Sequence, residues 1–257
     1  MRSLYRALIS LLMFALTGCA VNTPIPATAT SLPQATSTPA VAPTLTPSPT
    51  LQTRYAGPLS QAQRDLLNQV AQGYIAETPE EAVDVAVRLG YLGSYGTAEM
   101  VCGPLSLAIL QGSGLVDPDV PLLDFFYLNP RPGQDDWRLK KVFPEESFEK
   151  IEIEEPINQI DYTRFPLYAG DFLYLFAGDS GSFEHMLVVS RVDETGRAYS
   201  VTNFPTAEGY MIREVMLYDP NNPGVGQFYD WTNREFMDIG RTGYGGFWLW
   251  RLKSPQN

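Results

Sequence analysis

Reactive side chains are scarce in this chain. Its 257 residues include two cysteines and one histidine, so any Cys–His chemistry is confined to very few combinations. Basic residues are also few: 18 Lys and Arg stand against 29 Asp and Glu, for a formal charge of −11. Binding nucleic acid requires clustered Lys and Arg to displace counterions from phosphates, so no nucleic-acid partner is expected. Acidity otherwise favours solubility. The chain shows no internal repeat and no calcium-loop spacing.

The two cysteines have unlike surroundings. Met1 to Arg6 form a short basic start, Ala7 to Leu16 are dominated by apolar residues, and Leu16-Thr17-Gly18-Cys19 follows. This is the pattern of a signal peptide over residues 1–18 and not of a spanning helix. The Leu-x-Gly-Cys run resembles the lipobox of bacterial lipoproteins, which implies cleavage before Cys19 and acylation of that residue. Two or three acyl chains hold a membrane firmly, so the expected location is extracytoplasmic and lipid-anchored. An ordinary secretory signal with a chance cysteine is the plainer alternative.

From Ala20 to Thr53 there is no charged side chain, and Thr, Pro, Ala and Ser predominate. Such a stretch buries too little apolar surface to offset its ordering entropy, and its prolines favour extension. Residues 19–56 therefore read as a lipidated cysteine and tether. At about 3.1 Å per residue the tether reaches on the order of 100 Å when extended. It serves either as a spacer into the cell wall or as a plain leash.

Residues 57–257 are long enough for one domain with a substantial core. With Cys19 acylated, Cys102 is a free thiol where oxidation is a risk, which favours a chemical role. Ser60 caps a helix through about Gln72, and Thr78-Pro79-Glu80-Glu81 is a capping box opening a second helix to Leu89. A Gly- and Tyr-rich loop, Tyr91 to Gly96, leads to an apolar helix from Met100 to Leu110. Pro104 fits only in a first helical turn, so Cys102 lies at the helix start. Free backbone N–H groups there favour a thiolate and can hold an oxyanion. The alternative role for Cys102 is a small apolar side chain packed where a helix enters the core.

The middle of the chain carries weaker signals. Asp124 to Tyr127 suits a short helix or strand, Asn129 to Gly133 a turn, and the acidic run Glu145 to Glu155 a solvated face with Ile151 and Ile153 alternating. From Gly170 onward the pattern is antiparallel: Asp171 to Ala177, His185 to Val192, Arg197 to Phe204, Tyr210 to Leu217 and Phe247 to Leu252 have strand character. Gly178 to Ser182 form a turn before His185. A three-residue loop with Gly196 left-handed pairs Asp193 with Arg197. Counting back sets Leu187 opposite Asn203, placing His185 and Asn203 on one face, where Asn203 can orient the imidazole.

Cys102-Gly103-Pro104 at a helix start, Gly170-Asp171-Phe172-Leu173 before a strand, His185-Met186-Leu187-Val188-Val189 opening the next and Val201-Thr202-Asn203-Phe204 ending its partner resemble the papain-like cysteine peptidases and amidases of bacteria. The cysteine helix is similar to bacteriocin-leader-processing peptidases; Gly170 to Phe204 is equally similar to CHAP and NlpC-type domains. The resemblance implies an α+β, papain-like fold, with an N-terminal helical part carrying the nucleophile helix packed on a C-terminal antiparallel sheet. It makes Cys102 the nucleophile, His185 the general base and then acid, and Asn203 the group that holds the ring. No cofactor or metal is implied. The family's oxyanion hole combines the cysteine N–H with a Gln six residues earlier. That position is Gly96 here, leaving the Cys102 backbone with Thr97, Tyr95 or Glu99 nearby; of the three, Thr97 is the candidate and Glu99 would repel an oxyanion.

Each site residue also has a structural alternative. A lone imidazole at a strand start is often a satisfied structural group, and Trp231, Trp248, Trp250 and Tyr244 suit core and edge packing as well as a sugar- or peptide-stacking groove. Two functions follow. One is a membrane-anchored cysteine hydrolase, or its acyltransfer variant, acting on an amide bond of a peptide or of peptidoglycan stem peptide. The other is a catalytically silent papain-like module that binds a wall component or peptide.

Overall fold

The computed structural model describes residues 54–90, 97–128, 130, 136–177, 184–232 and 242–254. The expected signal peptide, Cys19, the tether to residue 53, the Tyr91–Gly96 loop with Gly96, the turns at 129 and 131–133 and at 178–182 lie outside the described residues.

The capping signals place the first helices. In α1 (Gln61–Gln72) and α2 (Pro79–Arg88) the N-cap hydroxyls of Ser60 and Thr78 accept from the N–H of Gln63 and Glu81, whose side chains reach back to the cap N–H. Leu67 and Ala71 of α1 and Ala82, Val85 and Ala86 of α2 are buried. The third helix, α3 (Cys102–Gly112), is buried along Gly103 to Leu110, which matches its nearly uniform apolar sequence. A 3₁₀ turn follows over Leu122–Tyr127, then α4 (Trp137–Val142), capped by Asp136.

Two antiparallel sheets complete the fold. The first has strand order β1-β7-β2-β3, from β1 (Phe148–Ile153), β2 (Phe172–Leu175), β3 (His185–Val188) and β7 (Phe247–Leu252). The second has the order β4-β5-β6, from β4 (Arg191–Val192), β5 (Ala198–Pro205) and β6 (Tyr210–Tyr218); α5 (Gln227–Thr232) follows β6. The architecture is α+β. The acidic run carries a strand, β1, whose alternating Ile151 and Ile153 are half-buried opposite Leu249 and Phe247.

The expected strand from His185 to Val192 is interrupted. Val189 N–H bonds Asp171 O, completing the first sheet, whereas Ser190 N–H bonds Tyr199 O in the second. The chain thus changes sheets between Val189 and Ser190. Beyond that point the hairpin is as counted: Asp193 N–H bonds Arg197 O at 3.0 Å, and Gly196 has φ 88°.

The first sheet separates two apolar clusters. Phe172, Tyr174, Met186, Val188, Trp248 and Trp250 pack with α1, α2 and α3, whereas Leu173, Leu175, Leu187, Val189, Phe247 and Leu249 pack with Leu217, Tyr218 and Phe228 on the other side. Strand alternation produces this division. Asp171 is buried with Arg251, whose Nε and Nη2 lie 3.0 and 2.6 Å from its carboxylate oxygens. Trp248 and Trp250 are buried, in keeping with a packing role. Among the described residues no helix is long and apolar enough to cross a membrane.

Candidate functional site

Cys102 is the first residue of α3, where Pro104 occupies the first turn without needing a donor. The next residue must be glycine for steric reasons: a Cβ at Gly103 would fall 2.6 Å from Phe125 O and 2.7 Å from Met186 Cε. This close approach seats the helix start against β3. Burial pushes the thiol above its ordinary pKa, although the N–H groups of Met186, Gly103 and Cys102 itself act on the sulfur in the opposite sense. Desolvation is the larger influence, so the helix terminus does not lower the thiol's pKa here.

His185 lies on the other face of β3. It pairs with Leu175, just as Met186 pairs with Tyr174. Tyr174 and Met186 belong to the helix-side cluster, while Leu175 and Leu187 belong to the opposite one. Period-two alternation therefore directs the imidazole away from α3. Its Nε2 is 2.9 Å from Thr202 Oγ1, and Trp231 meets the ring edge-on with centroids 5.0 Å apart. His185 is 4% exposed, and burial lowers its pKa from 6.5 to about 4. Among the described residues no hydrogen bond joins the ring to Cys102.

Asn203 is not the ring's direct partner, which corrects the expected orientation. Because β3 pairs with β2 and the chain changes sheets at Ser190, the hairpin register does not extend back to His185. Asn203 shares the parity of Val201, which packs with the helix-side cluster. Its Nδ2 donates to Ala98 O at 3.1 Å and to Glu99 O at 2.7 Å, pinning the segment that enters α3. The neighbouring residue takes the expected place, since Thr202 is 1% exposed and shares the imidazole's face. Thr202 Oγ1 also lies 3.5 Å from Asn203 Oδ1, so Asn203 reaches the ring only through that hydroxyl. Thr97, the expected oxyanion donor, has a buried Oγ1 without a hydrogen-bond partner.

The structure thus brings Cys102 and Asn203 to one face and His185 to the other. Sequence reading overlooked Thr202 and also Glu184, which accepts a hydrogen bond from Tyr174 Oη. Alternation supplies a signal for the second: Glu184 and Met186 flank His185 and share the parity of the cysteine side. Among the described residues no group of three or more His, Cys, Asp or Glu side chains is arranged to hold a metal ion. The chain matches no protein-family model, no curated protein and no solved structure.

Proposed function

We propose that this chain is a lipid-anchored, extracytoplasmic module of papain-like type that binds at the cell surface and is catalytically silent. One observation carries the reading: the imidazole is bonded to Thr202 on the face of β3 opposite the thiol. A Cys–His–Asn hydrolase needs its base within hydrogen-bond reach of the nucleophile, with the third group orienting that base. Here the thiol is disfavoured from ionising and the ring from accepting a proton, the reverse of an activated pair. The Asn203 contacts fit a structural duty, since they brace Ala98 and Glu99.

The hydrolase reading keeps one specific support, the three backbone N–H groups around the Cys102 sulfur. Such donors are the kind that stabilise an oxyanion. Alkylation separates the two readings. The module predicts slow labelling of Cys102 by iodoacetamide at neutral pH, at rates equal within about twofold in wild type and His185→Ala, because no imidazole assists the thiol. A drop of about tenfold or more in the variant would favour the hydrolase. Turnover of purified peptidoglycan or peptides, with Cys102→Ala as the blank, should show no difference between the two proteins.

A further inference from the structure

We propose that the outer edge of β1 is a self-association surface, on which β1 of a second copy of this chain pairs antiparallel about Ile151. The surface stands whether or not Cys102 reacts. β1 ends the first sheet, with β7 on one side and no strand on the other among the described residues. The register shows which groups face outward. Lys253 N–H bonds Ser147 O at 2.8 Å in line with the β1–β7 ladder, so odd-numbered residues of β1 bond toward β7 and even-numbered ones face the open edge. The N–H and C=O of Lys150 and Glu152 therefore point outward, and among the described residues nothing bonds them.

Charges on an open edge usually discourage pairing. Here they are arranged to be complementary to themselves. Lys150 and Glu152 share one face of the strand, are exposed and have opposite signs. With a two-fold axis at Ile151, Lys150 of each copy lies opposite Glu152 of the other, and each such pair exchanges both of its N–H···O bonds. On the other face the half-buried Ile151 meets its own symmetry mate in the closer, non-hydrogen-bonded kind of pair, while Glu149 lies opposite Ile153. Other alignments fail. Moving the axis to Lys150 or to Glu152 sets like charges opposite one another, and sliding by one residue sets outward groups against inward ones.

Lys150 Nζ lies 2.7 Å from Glu152 of its own strand and 3.5 Å from the Trp248 ring centroid, which holds the cation over this face of the sheet. An exposed pair of that kind contributes little by itself, so both charges can turn toward a second copy. The formal charge of −11 opposes association elsewhere on the surface, and one strand pair makes a small interface. The dimer is accordingly weak, with a Kd on the order of 100 μM.

Disulfide trapping tests the geometry. In the full chain carrying Cys102→Ala, Ile151→Cys places two thiols on the axis with Cα atoms about 4.5 Å apart, within disulfide reach, whereas Glu149→Cys leaves its pair more than about 10 Å apart. Mild oxidation in dilute detergent, with adducts located by peptide mapping, should give a 151–151 dimer at least about tenfold faster than a 149–149 dimer. In the Ile151→Cys chain, Lys150→Glu and Glu152→Lys should each slow trapping by about fivefold or more, and mixing the two variants should restore about half of the parent rate by pairing opposite strands. All four substituted positions lie on the strand surface, and sedimentation of the charge variants with Ile151 intact checks the same order of association. No 151–151 adduct, as when a foreign peptide takes the edge, equal trapping at 149 and 151, or a mixture no faster than its components would overturn the proposal. Cys102 labelling is read on a different chain, so a failure here leaves that result intact.

Discussion

The chain's single histidine makes one measurement unusually direct. In the unfolded chain the ring protonates around 6.5, whereas in the fold it stays neutral until about 4. Between those values the unfolded state binds more protons, so stability rises with pH across the window, is complete above about 6.5 and declines as pH falls toward 4. At 1.36 kcal/mol per pH unit, the interval from 6.5 down to about 4 corresponds to about 3 kcal/mol of stability lost on acidification. Urea unfolding of wild type and His185→Gln at several pH values between 4 and 7 should reveal this difference, with the variant's profile flatter by about that amount. Carboxylates contribute equally to both profiles and cancel in the comparison. NMR titration of the sole imidazole gives an independent reading. A midpoint at or above 6.5, as a thiolate partner would produce, or parallel stability profiles, would refute the buried neutral ring.

Thr202→Val keeps the side-chain shape but removes the hydroxyl from Nε2, and should cost about 1–3 kcal/mol in urea unfolding; in a His185→Leu background the loss should fall below about 1 kcal/mol. Arg251→Met strands the buried Asp171 carboxylate and should cost about 3–5 kcal/mol by the same assay, with Asp171→Asn recovering part of it. Asn203→Leu leaves Ala98 O and Glu99 O without their donor, so destabilisation of about 2 kcal/mol should accompany faster amide exchange over residues 98–102.

Local chemistry made the helices readable. Ser60, Thr78, Pro79 and Pro104 fix helix starts through hydrogen bonds or ring geometry within one turn, so their positions did not depend on distant partners. The Asp193–Arg197 turn was readable for the same reason, since Gly196 supplies the left-handed backbone the loop requires. The site was less readable because its faces depend on pairing. His185 to Val192 reads as one strand, yet Val189 and Ser190 bond to different sheets, a choice made by Asp171 and Tyr199 far along the chain. One residue of register then decides whether Asn203 or Thr202 meets the imidazole. β1 was obscured by Glu149, Glu152 and Glu154, whose charge suggests a solvated face even though Ile151 and Ile153 pair with β7.

The alternation in β3 also bears on what holds the imidazole and the thiol apart. Moving the imidazole to the cysteine side is not a side-chain rotation, because it requires the strand to slide by one residue and exchange its faces. In most half-buried strands that slide would drive polar groups into the core. Here Met186, Leu187, Val188 and Val189 are apolar at every position, so either face could pack against either cluster. The strand itself is ambivalent, and the burden of holding its present setting falls on specific fittings: Gly103 against Met186, Thr202 against His185, and Asp171 O against Val189 N–H. Those few contacts keep the imidazole and the thiol on opposite faces of β3.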